Sequence, residues 1–283
     1  MPNGLRSKLD PPMSERAQSL EEATELSGDD GRYSIRLSEA WEIWGPSGGY
    51  LAAIALRAAG LCAQIPRPAS FYCHFLSPPD FAEVDLAVEV LRRGRRSESL
   101  AVNMTQGGKP VLFALIRTAA QAPGYQHQEP AAPEVAPPGD SKLLERTKDG
   151  RPIYSFWSNL SCRRPEFGAG DVGPRPVIRE WVRFEPTPHF EDPFIDAARP
   201  LILLDTFGWP AVWQKYRGAD FVAPNLDTYV SFHRPAAQSE WLLVDHECPV
   251  ADDGLLGVSG RIWDEAGRLL ASGSAQLCCM APQ

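Results

Sequence analysis

Residues 45–59 of the 283-residue chain read GPSGGYLAAIALRAA. A Gly-Pro-Ser-Gly-Gly break precedes a run of good helix formers that is apolar on nearly every face. A helix without a polar side has to be covered by other elements, because a surface helix needs a hydrated face. The stretch therefore predicts a buried helix over residues 50–59, which Gly60 either ends or brings close to a neighbour.

The segments around this helix have strand patterns. A strand is expected within residues 32–44, and residues 83–91 alternate apolar and polar side chains. The turn at 107–110 favours a hairpin. Further strands are predicted over residues 71–76, 97–106 and 111–119. The first half is thus predicted to be one strand, a buried helix and several antiparallel strands, with the sheet wrapped around the helix.

The second half repeats this order. A strand is predicted over residues 177–185, a Pro-rich insert over 186–200 and a helical region over 201–216. When the second half is aligned on the first with an offset of 157 residues, Gly48 matches Asp205, near the predicted start of each helix. The predicted hairpin turns of the two halves match at an offset of 159 residues. A register held over this length indicates a duplication, and two copies predict a fused pseudo-dimer with pseudo-twofold symmetry.

Composition narrows the class of protein. The net charge is −8 and the Arg-rich run at 92–96 is flanked by acidic residues, which argues against nucleic-acid binding. The chain has no stretch of 18 apolar residues and no signal-peptide pattern, so a membrane protein is not expected. Six cysteines without CxxC spacing favour reduced core thiols over a metal site. The sequence predicts a cytoplasmic protein.

These patterns divide the chain into four segments. Residues 1–31 are polar and predicted to be a disordered tail. Residues 32–120 form the first copy of the unit and residues 175–283 the second. Residues 121–174 are predicted to be a Pro-rich linker followed by an irregular segment.

Several motifs, in order along the chain, carry a resemblance to a known family. They are Gly48-Gly49-Tyr50, Gly94-Arg95-Arg96-Ser97, Gln106-Gly107-Gly108-Lys109-Pro110, Asn225-Leu226-Asp227-Thr228, Phe232-His233-Arg234-Pro235, Glu240-Trp241-Leu242-Leu243 and Gly267-Arg268-Leu269-Leu270-Ala271-Ser272 with Gln276. Together they resemble the type II acyl-CoA thioesterases. The resemblance implies an α+β double hot-dog fold, with two antiparallel sheets joined edge to edge, each wrapped around a central helix.

The resemblance also implies three catalytic residues. In the family an Asp, a Thr or Ser, and a Gln hold the attacking water, and the matching positions here are Asp205, Asn225 and Gln276. Asp205 lies in an apolar run, where a carboxylate is costly without a partner or a role. Each residue has an alternative interpretation: a helix N-cap or first-turn Asp, a turn residue after Pro224, and a solvent-facing strand residue.

The start of the first helix is the predicted site for the thioester carbonyl. Gly48 and Gly49 permit close approach, and the backbone N–H groups of Gly49 and Tyr50 are the expected oxyanion donors. Tyr50 stands where the family has Gln, and Thr228 stands where the family has His. No G-x-S-x-G nucleophile motif is present, and His233 is expected to be structural. Asp245-His246-Glu247 does not have the spacing of a helical metal motif and is expected to lie on a solvated strand face.

The function implied by the resemblance is hydrolysis of an acyl-CoA, or of an acyl-carrier-protein thioester, with Asp205 as general base. No metal or redox cofactor is implied, and a homo-oligomer is compatible with the family. A non-hydrolytic acyl-thioester-binding protein of the same fold is the alternative. A hot-dog hydratase would need an Asp–His pair near a helix start, which the sequence lacks.

Overall fold

The computed structural model describes residues 17–148, 151–166, 175–218 and 221–281. Four helices lie in these ranges: α1 (Leu20–Ala23), α2 (Gly48–Cys62), α3 (Pro193–Thr206) and α4 (Gly208–Lys215). The strands up to the linker are β1 (Ser27–Asp29), β2 (Arg32–Arg36), β3 (Pro68–Phe75), β4 (Glu83–Arg93), β5 (Ser97–Gln106) and β6 (Lys109–Ala119). Those after it are β7 (Lys142–Leu143), β8 (Thr147–Lys148), β9 (Arg151–Pro152), β10 (Leu160–Arg164), β11 (Val177–Phe184), β12 (Asp227–Phe232), β13 (Trp241–Asp252), β14 (Leu255–Asp264) and β15 (Leu269–Cys278).

One antiparallel sheet runs through the whole molecule. Its 13 strands have the order β1-β2-β4-β5-β6-β3-β12-β15-β14-β13-β11-β10-β7. The predicted duplication is present in this order, because β2-β4-β5-β6-β3 and β11-β13-β14-β15-β12 are mirror arrangements. Two sheets were expected, but the halves form a single sheet. β3 pairs with β12 from Asp227↔His74 to Ser231↔Ser70, so the edge that each half would otherwise expose is hydrogen-bonded.

The predicted buried helix is confirmed. Ten of the 15 residues of α2 are buried, and the helix packs on β3, β4, β5, β6 and α3. Gly60 permits the contact with α3, since a Cβ atom there would lie 2.5 Å from the ring of Phe194. The helix begins at Gly48, so the Gly-Gly pair lies inside its first turn instead of preceding it.

The second helix begins earlier than its predicted start at residue 201. Asp192 caps α3 by accepting hydrogen bonds from the N–H groups of Phe194 and Ile195, and Pro193 occupies the first helical position. The helix continues through Pro200, flanked by residues that are almost all buried, so packing outweighs the hydrogen bond that proline removes. Asp205 is therefore the second-last residue of α3. Its interpretation as an N-cap or first-turn residue is wrong.

Two segments expected to lack structure contribute to the core. Residues 1–16 lie outside the described ranges, but α1 and β1 lie within 17–31, and Leu20 is 1% exposed. The prediction of disorder is therefore wrong for residues 17–31. In the segment 121–174, β10 and β7 extend the sheet and Phe156 is fully buried, whereas residues 149–150 and 167–174 lie outside the described ranges. None of the described helices is long and apolar enough to cross a membrane.

Candidate active site

The C-terminal end of α3 lies against the N-terminal end of α2, and Asp205 lies where they meet. A Cβ atom added to Gly48 would be 2.9 Å from Asp205 Oδ2, and one added to Gly49 would be 3.0 Å from the Cα atom of Ile202. Only glycine permits such an approach of the two helices. The aromatic ring of Phe75 lies 3.0 Å from the same point beside Gly48. The site therefore combines residues from both halves, with an apolar side chain next to the carboxylate.

Two side-chain donors hold the Asp205 carboxylate. Asn225 Nδ2 donates to Asp205 Oδ1 at 2.7 Å and to the Asp205 carbonyl oxygen at 2.9 Å. Thr228 Oγ1 donates to Oδ1 at 2.8 Å, and the nearby backbone N–H of Gly49 favours the ionised form of the carboxyl group. The side-chain donors thus converge on Oδ1, whereas Oδ2 faces the start of α2.

Thr228 is the site residue that the motif comparison missed. It lies in β12 with its side chain on the inner face of the sheet, 1% exposed, whereas Tyr229 points outward and is 42% exposed. In the sequence, Thr228 is evident only as a departure from the family motif, which has His at this position. The alternation of buried and exposed residues along β12 could have identified Thr228. A hydroxyl on the buried face of a strand needs an acceptor, and Asp205 is the polar group in reach.

The environment of Asp205 shifts its acidity. Burial raises the pKa of Asp205 to about 6, and the hydrogen bonds from Thr228 and Asn225, together with the nearby Gly49 N–H, oppose that rise by stabilising the charged form. A carboxyl group with this pKa is mostly ionised at neutral pH and still basic enough to accept a proton from water. These are the properties of a general base.

The structure does not bring Gln276 to this site. Along β15, Ala275 and Leu277 are buried, and a Cβ atom on Gly273 would lie 3.3 Å from Leu204 of α3, so the odd-numbered residues face the helices. Gln276 alternates with them and lies on the outer face of the sheet. Counted from Ala271-Ser272, the family's A-S-x-x-Q run places its Gln at Ala275. The assignment of the family's Gln to Gln276 is therefore wrong by one residue. Because successive residues of a strand point to opposite sides, this error places the side chain on the wrong face of the sheet.

The predicted donors at the start of α2 have different roles. The Gly49 N–H lies close to the Asp205 carboxylate and favours its ionised form. The Tyr50 N–H belongs to the first helical turn, where N–H groups lack partners within the helix. The Tyr50 side chain lies elsewhere: its ring stacks on Trp41 with centroids 5.6 Å apart, and its hydroxyl donates to the Ala23 carbonyl at 2.7 Å.

The histidines lie outside the Asp205 cluster. His233 Nε2 and Ser272 Oγ are 2.9 Å apart at an exposed position. His246 is buried on β13, with its ring over Gly260 of the neighbouring strand, so the expected solvated position is wrong for this residue: Gly260 has no side chain and leaves room for the ring. Within the described ranges, no group of three or more His, Cys, Asp or Glu side chains could hold a metal ion. Two cavities, of about 320 and 160 Å³, are lined by residues other than Asp205, Asn225 and Thr228.

This strand order, with one buried helix in each half, is that of two hot-dog units joined through one sheet. The family profiles agree: the acyl-CoA thioesterase N-terminal domain matches residues 37–120, and the acyl-CoA thioesterase C-terminal domain matches residues 128–280. The chain belongs to the acyl-CoA thioesterase family. Comparison with curated proteins gives no match.

Solved structures share the fold over nearly the whole chain. A hot-dog protein of unknown function from Alicyclobacillus acidocaldarius is 22% identical, with a TM-score of 0.82 over 94% of this chain and 100% of that one. An acyl-CoA thioesterase II from Mycobacterium marinum is 22% identical, with a TM-score of 0.77 over 94% and 99%. A candidate thioesterase from Novosphingobium aromaticivorans is 26% identical, with a TM-score of 0.76 over 89% and 97%.

Proposed function

We propose that this protein hydrolyses acyl-CoA thioesters by water attack, with Asp205 as the general base. The observation that carries the proposal is a buried carboxylate whose Oδ1 is fixed by Asn225 and Thr228 while its Oδ2 faces the start of α2. A carboxylate held in this way is oriented before substrate arrives. Its second oxygen remains available to a water molecule.

The proposed reaction forms a carbon–oxygen bond, breaks the carbon–sulfur bond and moves one proton through Asp205. Asp205 accepts a proton from water as the water oxygen attacks the thioester carbonyl carbon. The resulting oxyanion is stabilised by the N-terminal end of α2, where the Tyr50 N–H and the helix dipole favour negative charge. Collapse of the intermediate breaks the carbon–sulfur bond, and the proton held by Asp205 passes to the departing thiolate. The products are a carboxylic acid and a free thiol.

Asn225 and Thr228 are proposed as positioning residues for Asp205. The family pattern has a hydroxyl at the position of Asn225, and here a hydroxyl instead comes from Thr228, three residues further on. Thr228 Oγ1 and Asn225 Nδ2 lie 3.3 Å apart and both reach Asp205 Oδ1. The two side chains therefore supply one hydroxyl and one amide to the same carboxylate oxygen.

The test is thiol release from a panel of acyl-CoAs and acyl-carrier-protein thioesters. Asp205→Asn removes the base and is expected to lower turnover at least about 100-fold, the usual contribution of general-base catalysis. Asp227→Asn is the matched control, because Asp227 lies on the outer face of β12 and its Oδ1 accepts from the Gln276 N–H, which an amide oxygen can replace. Wild-type turnover in a folded Asp205→Asn variant would refute the mechanism.

A non-hydrolytic acyl-thioester-binding protein is the second candidate. The observation favouring it is the outward position of Gln276, which leaves Ala275 on the inner face where the family pattern has an amide. The same panel distinguishes the candidates. Binding of an acyl-CoA by the wild-type protein without any thiol release supports the binder and excludes the hydrolase.

A further inference from the structure

A serine at the start of α2 has a buried hydroxyl that the mechanism above does not use. Ser47 is the N-cap residue of α2 and is 5% exposed. An N-cap serine ordinarily accepts a hydrogen bond from an N–H of the first turn. Ser47 does not, and its Oγ atom has no hydrogen-bond partner among the described residues. A buried polar group in this condition requires an explanation.

The structure offers a reason why the cap is not formed. The Gly49 N–H, one of the donors that an N-cap side chain normally engages, lies close to the Asp205 carboxylate and favours its ionised form. A carboxylate from the neighbouring helix thus lies next to the first turn of α2, where the Ser47 side chain would otherwise cap. The Ser47 hydroxyl is left free to interact with another group.

The position of Ser47 limits what that group can be. A Cβ atom added to Gly48 would lie 2.9 Å from Asp205 Oδ2, so the Cα atom of the preceding residue, Ser47, lies within about 8 Å of that oxygen. A second hydroxyl without a partner in the described part of the chain, that of Thr206, directly follows Asp205. Unused hydroxyl groups therefore flank the site in sequence on both helices. A ligand with a polar oxygen is the partner that such a place can accept.

We infer that Ser47 is a further catalytic residue, whose hydroxyl donates a hydrogen bond to the carbonyl oxygen of the bound thioester. The inference rests on the proposed function, since it places the carbonyl at the start of α2. The hydroxyl and the helix N-terminus both favour negative charge on the same oxygen, so the interaction strengthens as the oxyanion develops. Ser47 remains a neutral donor throughout and neither gains nor loses a proton.

Kinetics of Ser47→Ala test the inference. Loss of one oxyanion donor typically lowers kcat by about 100-fold or more. For Ser47→Ala the expected decrease in kcat is at least about tenfold, together with a rise in KM, because the hydroxyl also contacts the carbonyl of the bound substrate before it reacts. The midpoint of the pH–rate profile should stay that of the wild-type enzyme, because Asp205 is unchanged. Ser47→Thr retains the hydroxyl and is expected to recover part of the activity. Wild-type kcat in Ser47→Ala would overturn the inference.

A binding measurement separates this inference from the proposed function. One probe is an acyl-CoA analogue in which CH₂ replaces the thioester sulfur, so that the carbonyl is kept without hydrolysis. The other is a thioether in which CH₂ replaces the carbonyl. The wild-type protein is expected to bind the ketone about tenfold or more tightly than the thioether, and Ser47→Ala should lose that preference.

The outcomes of the two tests are distinct. A Ser47-dependent preference for the ketone in a protein that releases no thiol supports the carbonyl contact and rejects hydrolysis. An equal preference in wild type and Ser47→Ala overturns the contact, whatever the turnover. A third outcome is that Ser47→Ala loses activity through lower thermal stability while still preferring the ketone. That result would show that Ser47 is structural and would also overturn the proposed contact.

Discussion

At the scale of single residues, Asp205 is governed by two opposing effects. Burial raises the pKa of its carboxyl group to about 6, whereas the donors Thr228, Asn225 and Gly49 favour the ionised form. If these donors were absent, burial alone would keep the group protonated to higher pH. These donors thus keep a buried carboxylate largely ionised near neutral pH, as the proposed mechanism requires.

This balance predicts a pH dependence. Only the ionised carboxylate is a base, so kcat/KM should fall about tenfold per pH unit below a midpoint near 6 and level off above it. Thr228→Val removes a hydrogen bond that lowers the pKa of Asp205, so the midpoint should move to higher pH. Thr228→Ser keeps the hydroxyl and serves as the control. Identical midpoints in the Val and Ser variants would show that Thr228 does not act on Asp205.

At the scale of elements, β13 contains a buried histidine that influences stability. Burial lowers the pKa of His246 to about 3, and neither ring nitrogen has a partner among the described residues. In the unfolded chain a histidine titrates near 6.5, so as the pH falls the unfolded state takes up the proton first. The folded state is therefore destabilised between about pH 6.5 and pH 3.

Replacing this histidine should remove that part of the acid sensitivity. Between pH 7 and pH 5 the wild-type protein is expected to lose about 2 kcal/mol more unfolding free energy than His246→Leu. Urea unfolding of both proteins at the two pH values measures the difference. His127→Leu, a change within the exposed run of residues 121–131, serves as the control. Equal losses in wild type and His246→Leu would contradict the prediction.

The elements also show what the sequence could and could not predict. The apolar run after Gly49 identified α2 because a helix without a polar face is unambiguous. The start of α3 was missed because Pro200 interrupts the pattern, while the signal that decides the start is the cap Asp192 with Pro193. The error placed Asp205 at the wrong end of its helix.

The site was only partly predictable for a related reason. Asp205 and Asn225 meet as expected, but which face of β15 points to the helices depends on a register that changes with a single residue. The motif predicted the approximate position of Gln276 along β15 but not the face of the sheet on which its side chain lies. Thr228 was missed because its partner lies 23 residues away in sequence, on another element.

At the scale of the whole molecule, the duplication has produced one site from two unequal halves. Gly48 and Gly49 come from the first half, and Asp205, Asn225 and Thr228 come from the second. The halves meet through the β3–β12 pairing and through the packing of α2 on α3. Each half therefore contributes a part of the site that the other half lacks.

A divided chain tests this arrangement. The link between the halves can be cut between Pro123 and Gly124, within a run of exposed residues. Fragments 1–123 and 124–283, produced together, are expected to co-purify, because the β3–β12 pairing and the buried contact of α2 with α3 remain intact. The joined fragments should retain activity within about tenfold of the intact chain, since only the covalent link is lost. Each fragment alone should be inactive, and turnover by 124–283 alone would show that the start of α2 is not required.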